Sequence, residues 1–189
     1  MRVLFFLCIS AFFLQCKQSP SIISMKGVAL EGIGEYDIED LGNGVMKAVK
    51  FGDDGIILEK GTLRDNAKHG SWMTFYKGGE PKTIESYIDG RRFGEYIEFD
   101  DKGRFKTVTA YADDKLHGVY QEFTFYKQLK ELHYKHGIID GTIKEFSDDG
   151  SVFRTVEYKD GIIDGKMQYY NPEGEMTMEY TYKKGEVVK

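Results

Sequence analysis

The side chains that could do chemistry are few in type and form no catalytic motif. The chain has four histidines: His69, His117, His133 and His136. His69 and His117 each precede a glycine at a recurring position, while His133 and His136 are three residues apart, which on a strand puts them on opposite faces. The sequence contains no Ser-His-Asp arrangement, phosphate-binding loop or zinc motif. We therefore expect no catalytic residue, no metal site and no cofactor, and a protein that is not an enzyme.

Pairs of aspartates are the other candidates for a metal site. They are Asp53-Asp54, Asp100-Asp101 and Asp148-Asp149, each beside a glycine. A calcium loop would need an Asp-x-Asp-x-Asp-Gly pattern with a distal glutamate, which is absent. Because aspartate favours turns through hydrogen bonds to its own backbone, we expect these pairs to shape turns.

The elements that position these residues recur with a fixed period. A glycine restarts the pattern at Gly70, Gly94, Gly118, Gly141 and Gly165, at intervals of 24, 24, 23 and 24 residues. An aromatic residue lies five residues after each restart: Phe75, Phe99, Phe123, Phe146 and Tyr170. A second glycine follows nine residues after most restarts, but the unit between Gly118 and Gly141 has Lys127-Gln128 there, so we expect an irregular turn. Such a period indicates a repeat array.

Each unit is expected to be a β-hairpin. Two short aromatic and β-branched runs alternate with glycine-bearing turns, and no window has apolar residues at helical spacing. One turn position holds only residues that tolerate positive φ: Asn66, Gly90, Asp114, Gly137, Gly161 and Gly185. Large residues at the second position (Trp72, Tyr96, Tyr120) and aromatics at the fifth differ by three. Either the sheet is apolar on both sides, or a bulge turns one of the two sets around.

Several stretches resemble MORN repeats, most closely the bacterial variant of antitoxin-like MORN-repeat proteins. They are Tyr-Ile-Asp-Gly-Arg-Arg-Phe-Gly (87–94), Tyr-Lys-His-Gly-Ile-Ile-Asp-Gly (134–141) and Tyr-Lys-Asp-Gly-Ile-Ile-Asp-Gly (158–165). The resemblance covers residues 46–189, with Asp114 departing from the usual glycine. It implies an all-β fold: an elongated single-layer antiparallel meander of about six tandem hairpins.

The N-terminus is typical of a bacterial lipoprotein. An apolar run from Val3 to Leu14 follows Arg2 and is too short to span a bilayer, which takes roughly 20 residues. It ends at Cys16 and turns polar at Lys17, which resembles a lipobox, although Gln15 departs from the usual small residue. We predict a signal peptide over 1–15, a tether or N-terminal cap over 16–45 and the array over 46–189.

The predicted location follows from the lipobox. Lipidation of Cys16 would place the protein at the cell membrane, with the outer membrane or periplasmic face favoured over the cytoplasm because no aspartate follows the cysteine. Cys8 would leave with the signal peptide, so the mature chain would contain no disulfide. A formal net charge of −5 disfavours nucleic acid as a partner.

The candidate binding residues recur on the repeat. They are the aromatics Trp72, Tyr96 and Tyr120 and the glutamates Glu98, Glu122 and Glu145. The glutamates share one repeat position and Lys82, Lys106 and Lys130 another, which predicts charge rows on a solvated face or a binding strip. We expect protein–protein binding or scaffolding in the cell envelope, with an unknown envelope protein as partner. The alternatives are an antitoxin or immunity role, implied by the resemblance, and membrane-lipid binding, which the acidic charge disfavours.

Overall fold

The computed structural model describes residues 30–188. They form one open antiparallel sheet in which each strand pairs with the next along the chain. The strands are β1 (Asp37–Gly42), β2 (Val45–Phe51), β3 (Ile57–Arg64), β4 (Ala67–Phe75), β5 (Pro81–Ile88), β6 (Arg91–Phe99), β7 (Phe105–Ala112), β8 (Lys115–Leu116), β9 (Gly118–Thr124), β10 (Lys127–Lys135), β11 (Ile138–Ile139), β12 (Gly141–Phe146), β13 (Val152–Lys159), β14 (Ile162–Tyr170), β15 (Met176–Lys183) and β16 (Glu186–Val188). The predicted all-β meander of hairpins is confirmed.

The sixteen strands occupy fourteen positions across the sheet, because β8 and β11 are short and each shares a position with the strand that follows it. β8 and β9 both pair with β7 and are separated at His117, and β11 and β12 both pair with β10 and are separated at Asp140. At 4.7–4.9 Å between strands, the sheet extends roughly 60 Å in the hydrogen-bonding direction. The six predicted units run from β2 to β15, and β1 and β16 add one strand at each end. The sheet thus begins at Asp37, inside the segment predicted as a tether or cap.

Two kinds of connection alternate along the two sides of the sheet. On the turn side, two-residue turns have positive φ at both central residues, for example Asp89 (49°) and Gly90 (83°), which defines a type I′ turn. All six positions expected to need positive φ have it. On the loop side, longer loops close through paired backbone hydrogen bonds, as in Asp100 N to Arg104 O (2.9 Å) and Gly103 N to Asp100 O (3.0 Å).

The sheet has apolar side chains on both faces, which answers the question left open by the sequence. Trp72, Met73 and Thr74 pair in unbroken register with Glu85, Ile84 and Thr83. Successive side chains therefore alternate, and Trp72 and Phe75 lie on opposite faces. The register shifts between Thr74 and Phe75, but the extra residue is Lys82 on the partner strand, so β4 itself continues to alternate. We call the face bearing Trp72 the front face and the face bearing Phe75 the back face.

The front face holds most of the buried side chains. Two apolar clusters lie there, one around Ala48, Leu63 and Trp72 and the other around Leu132, Ile143 and Val156. Between them the same face is lined by tyrosines and by the buried threonines Thr107 and Thr109.

The back face changes character along the array. Its central row is largely apolar over the first units, where Met73 pairs with Ile84 and Ile97 with Val108. From Gln121 onward the row is polar, and Glu131 binds Lys144 at 3.0 Å.

A short segment covers the front face at the N-terminal end. It contains Leu30, a 3₁₀ helix (Ile33–Glu35) and Tyr36. The Leu30 amide donates to Asn66 O at 2.9 Å, and Ile33 and Tyr36 pack against the first apolar cluster. The Tyr36 hydroxyl donates to Glu59 at 2.9 Å. The segment thus covers the first apolar cluster, which is the role of a terminal cap.

Candidate partner-binding site

The structure places all six predicted binding residues on the front face, in two neighbouring rows. The first row joins Trp72, Tyr96 and Tyr120 through successive strand pairings. The second row joins the three glutamates with the threonines and basic residues opposite them. Its members in strand order are Thr83, Glu98, Thr107, Glu122, Lys130, Glu145 and Arg154.

Trp72 is an interior residue, with only 1% of its surface exposed. Its indole N–H donates to Glu59 at 3.2 Å, Tyr36 packs edge-on at 5.9 Å, and the Lys68 ammonium lies 4.3 Å from the ring. The strand opposite carries Gly61, where an added Cβ would lie 2.7 Å from Trp72 Cδ2. Trp72 therefore anchors the first units and does not offer a surface to a partner.

Tyr96 and Tyr120 are half-buried and pack in the same way one unit apart. Tyr96 meets Tyr111 edge-on at 5.8 Å, and Tyr120 meets Tyr134 at 6.0 Å. Burial, with the nearby Glu98 carboxylate, raises the pKa of Tyr96 to about 12. These rings stabilise the contact between neighbouring hairpins.

The three glutamates differ in their partners although they share a repeat position. Glu98 pairs with Lys106 at 2.6 Å, and Glu145 binds both Lys130 (3.3 Å) and Arg154 (2.6 Å). Two of the three glutamates thus pair with lysines of the second recurring position, Lys106 and Lys130. Glu122, in contrast, has no ion pair within residues 30–188.

The aspartate pairs shape the loops, as expected. Asp54 accepts from Ile56 N at 3.1 Å, and Asp149 accepts from Ser151 N at 2.9 Å. Asp100 accepts from two backbone amides and from the Arg104 guanidinium, and these bonds lower its pKa to about 2. Over residues 30–188 no group of three His, Asp or Glu side chains is arranged to hold a metal ion.

The histidines belong to the stacked turns and to the back face. His69 Nδ1 lies 3.4 Å from Asp89, and the rings of His117 and His136 are 5.0 Å apart on successive turns. His133 Nδ1 lies 3.2 Å from Thr142 O. None of these contacts joins a histidine to a nucleophile.

The feature that sequence analysis missed is the turn between β9 and β10. The predicted irregular turn is real: it has only two residues, Phe125 and Tyr126, both with positive φ (46° and 72°). The other two-residue turns use Asn, Asp, His, Lys or Gly at these positions. A left-handed backbone costs a non-glycine residue about 1–2 kcal/mol, and for a bulky aromatic it is an outlier. The signal was present, because two aromatics replace the polar loop found in every other unit.

Both turn aromatics point into solvent. Phe125 is 70% and Tyr126 81% exposed. The Arg104 guanidinium, from the neighbouring loop, lies 4.9 Å from the Phe125 ring centre and 5.7 Å from that of Tyr126. A strained backbone and exposed aromatic rings are together the combination expected at a functional site.

A groove of about 280 Å³ lies between this turn and the loop before it. Because the turn is shorter than its neighbours, it leaves space beside the Asp100–Arg104 loop. The lining residues are Asp100, Arg104, Phe105, Lys106, Glu122, Phe123, Thr124, Phe125 and Leu129. The groove thus has both aromatic and charged residues in its lining. We call the turn and this groove together the aromatic notch.

Comparisons with family models and with curated proteins found no match. No family model matches the chain, and no curated protein matches it significantly. Within residues 30–188 no helix has the length and apolar character needed to cross a membrane. Cys16 and the predicted signal peptide lie outside the described residues.

Proposed function

We propose that the protein is a bacterial cell-envelope lipoprotein, anchored through Cys16, whose MORN-type sheet binds a partner protein. The observation that carries the binding role is the Phe125–Tyr126 turn. Two aromatics are kept exposed in a backbone conformation that suits Asn-Gly far better. A partner that buries them would offset that strain, since aromatic residues are enriched at the centres of protein interfaces.

The rest of the fold supports a scaffold that holds this turn in place. The β9–β10 hairpin is paired on both sides, by β7 and by β12, so the turn is fixed to a continuous sheet. The Arg104–Asp100 pair at 2.5 Å supports it from the neighbouring loop. A site built on such a rigid support loses little conformational entropy on binding.

The anchoring part of the proposal is supported by the sequence alone. The apolar run Val3–Leu14 ends two residues before Cys16 and has the length of a signal-peptide core. A lipid on Cys16 would leave residues 17–29 between the lipidated cysteine and the first described residue.

The test combines lipid labelling with cross-linking in the native host. Cells fed an alkyne-bearing palmitate are expected to label the wild-type protein and not the Cys16→Ala variant. Chemical cross-linking of the tagged protein, followed by mass spectrometry, should give one dominant envelope partner that is lost in that variant. A toxin as the captured protein would establish the immunity role instead. Capture of no protein, with binding of the Cys16→Ala protein to lipid vesicles, would replace partner binding by lipid binding.

A further inference from the structure

The back face differs between the two halves of the array, although the repeat is the same. Its central row is apolar from β4 to β7, where it consists of Met73, Ile84, Ile97 and Val108. From β9 onward the same row is polar and holds Gln121, Glu131, Lys144, Thr155, Gln168 and Glu179. The fold therefore does not require apolar residues in this row, because the later units form without them.

Aromatic rings extend this apolar surface toward the loop side of the back face. The rings of Phe99, Phe105 and Phe123 follow one another there at 5.4 and 6.2 Å. Phe105 is 51% exposed. Phe105 and Phe123 also line the groove beside Phe125, so the surface continues into the aromatic notch. We call the central row of β4 to β7 together with these three rings the back-face patch.

Within residues 30–188 no element packs over the back-face patch. All strands belong to one sheet, and the segment from Leu30 to Tyr36 lies on the front face against the first apolar cluster. An antiparallel sheet with one face in water commonly carries polar residues there, as the second half of this array does. A contiguous apolar surface left uncovered marks an interaction site.

The charges beside the patch indicate an apolar guest. The patch has no charged residue, and the two cations at its rim are already matched. Arg104 lies 2.5 Å from Asp100, and Lys106 lies 2.6 Å from Glu98. A charged group laid on the patch would lose its hydration without gaining a counter-ion there. Aliphatic side chains such as leucine or methionine are buried on such a surface with a gain in free energy.

We propose that the partner protein docks on the back-face patch with an uncharged apolar segment. Phe125 and Tyr126, at the rim of the patch, contact the adjoining part of the same segment, and the front face serves the packing of the array itself. This inference rests on the proposed function, because it states which face the partner covers and what chemistry the partner presents.

The test uses residues that the repeat itself supplies. In the double variant Ile97→Gln with Val108→Thr, the new residues match those of a later unit, Gln168 and Thr155, so the urea midpoint should change little. A benzophenone amino acid at Tyr126 of the full-length protein in the native host reports the partner. Its capture should fall about tenfold or more in this variant. The control, Thr155→Ala with Gln168→Ala in the same row but outside the patch, should leave capture unchanged.

A second reading comes from moving the benzophenone across the sheet. From Ile84, on the back face, it should capture the same protein as from position 126, and from Glu122, on the front face, it should not. Equal capture in the two double variants, or a marked fall in the urea midpoint of the first, would overturn the proposal. Capture of a second copy of this chain or of lipid from position 84 would replace the partner protein as the occupant of the patch.

Failure of this inference can be told apart from failure of the proposed function. If position 126 still captures one envelope protein when the back face carries Ile97→Gln and Val108→Thr, the partner is real but covers another surface. If position 126 captures no protein in the otherwise wild-type chain, partner binding itself is wrong.

Discussion

Replacing Gly61 by alanine should destabilise the N-terminal units although alanine suits the backbone there. Gly61 is not in the left-handed region, so the substitution itself would stabilise a strand by about 0.5–1 kcal/mol. The new methyl, however, would lie 2.7 Å from Trp72 Cδ2 and 2.9 Å from Cζ3, and closer still to Cε3. Trp72 is only 1% exposed and contacts Tyr36 and Lys68, so its ring cannot shift without displacing them.

The expected size follows from two effects. Overpacking by one methyl costs about 1–3 kcal/mol, and displacing the indole from the Glu59 carboxylate loses a charged hydrogen bond of about 1.5–3 kcal/mol. After the backbone gain we expect a net loss of about 1.5–5.5 kcal/mol in the free energy of unfolding. In a repeat array this loss should fall mainly on the first units.

The assay is urea denaturation followed by fluorescence, because Trp72 is the only tryptophan. The matched control is Gly34→Ala: this glycine also has an ordinary φ, and no atom lies within 4 Å of the added Cβ. It should change stability by less than about 0.5 kcal/mol. A double-mutant cycle with Trp72→Phe, followed by circular dichroism, should show that the smaller ring relieves much of the cost. Equal effects of the two alanine variants, or additivity in the cycle, would refute the steric reasoning.

Three further predictions concern the turn between β9 and β10, the stability of the fold at low pH and its stability at high pH. The double change Phe125→Asn and Tyr126→Gly should leave the urea midpoint unchanged or raised, because relief of strain offsets the small loss of burial; a marked fall would show that the aromatics serve stability. The pKa of Asp100 lies below its unfolded value, so its stabilising effect is present above about pH 4 and is lost as pH falls toward 2. Carboxyl NMR titration should place the Asp100 midpoint near 2, and Arg104→Ala should move it upward; an unmoved midpoint would contradict the assigned cause. The pKa of Tyr96 is raised, so its effect is complete below about pH 10 and is lost as pH rises toward 12; absorbance titration in the folded range should show it ionising later than free tyrosine.

Much of the fold followed from the sequence because each unit repeats the same local choices. Residues such as Asn66 and Gly90 tolerate positive φ, and the structure uses them at the type I′ turns. The aromatic period fixed the number of hairpins. The face on which those aromatics lie did not follow from the sequence, because it depends on which strand carries the extra residue of each bulge. At Phe75 the extra residue is Lys82, on the partner strand.

Other features depend on contacts between distant residues and could not be seen in a one-dimensional pattern. Gly61 looks like a strand weakness in the sequence, yet it makes room for Trp72 on the next strand. Leu30 and Tyr36 lie outside the repeat and still cover the first cluster. Trp72 was chosen as a binding candidate because it recurs with Tyr96, but a covered end and a small neighbour make it an interior residue.

The candidate site was only partly predictable. The shortened unit indicated an irregular turn, while the exposure of Phe125 and Tyr126 required knowing that the turn has two residues. Glu122 was identified as a row member, but its lack of an ion pair depends on register: Lys130 lies opposite Glu122 on one side and binds Glu145 on the other.

The most direct test of partner binding through the aromatic notch is site-specific photo-cross-linking in the native host. A benzophenone amino acid replaces Tyr126 in the full-length protein, and in a matched strain it replaces Tyr180, an exposed aromatic near the far end of the sheet. We expect one envelope protein to be captured from position 126 and not from position 180. Capture of the same protein from both positions, or of none from position 126, would contradict it.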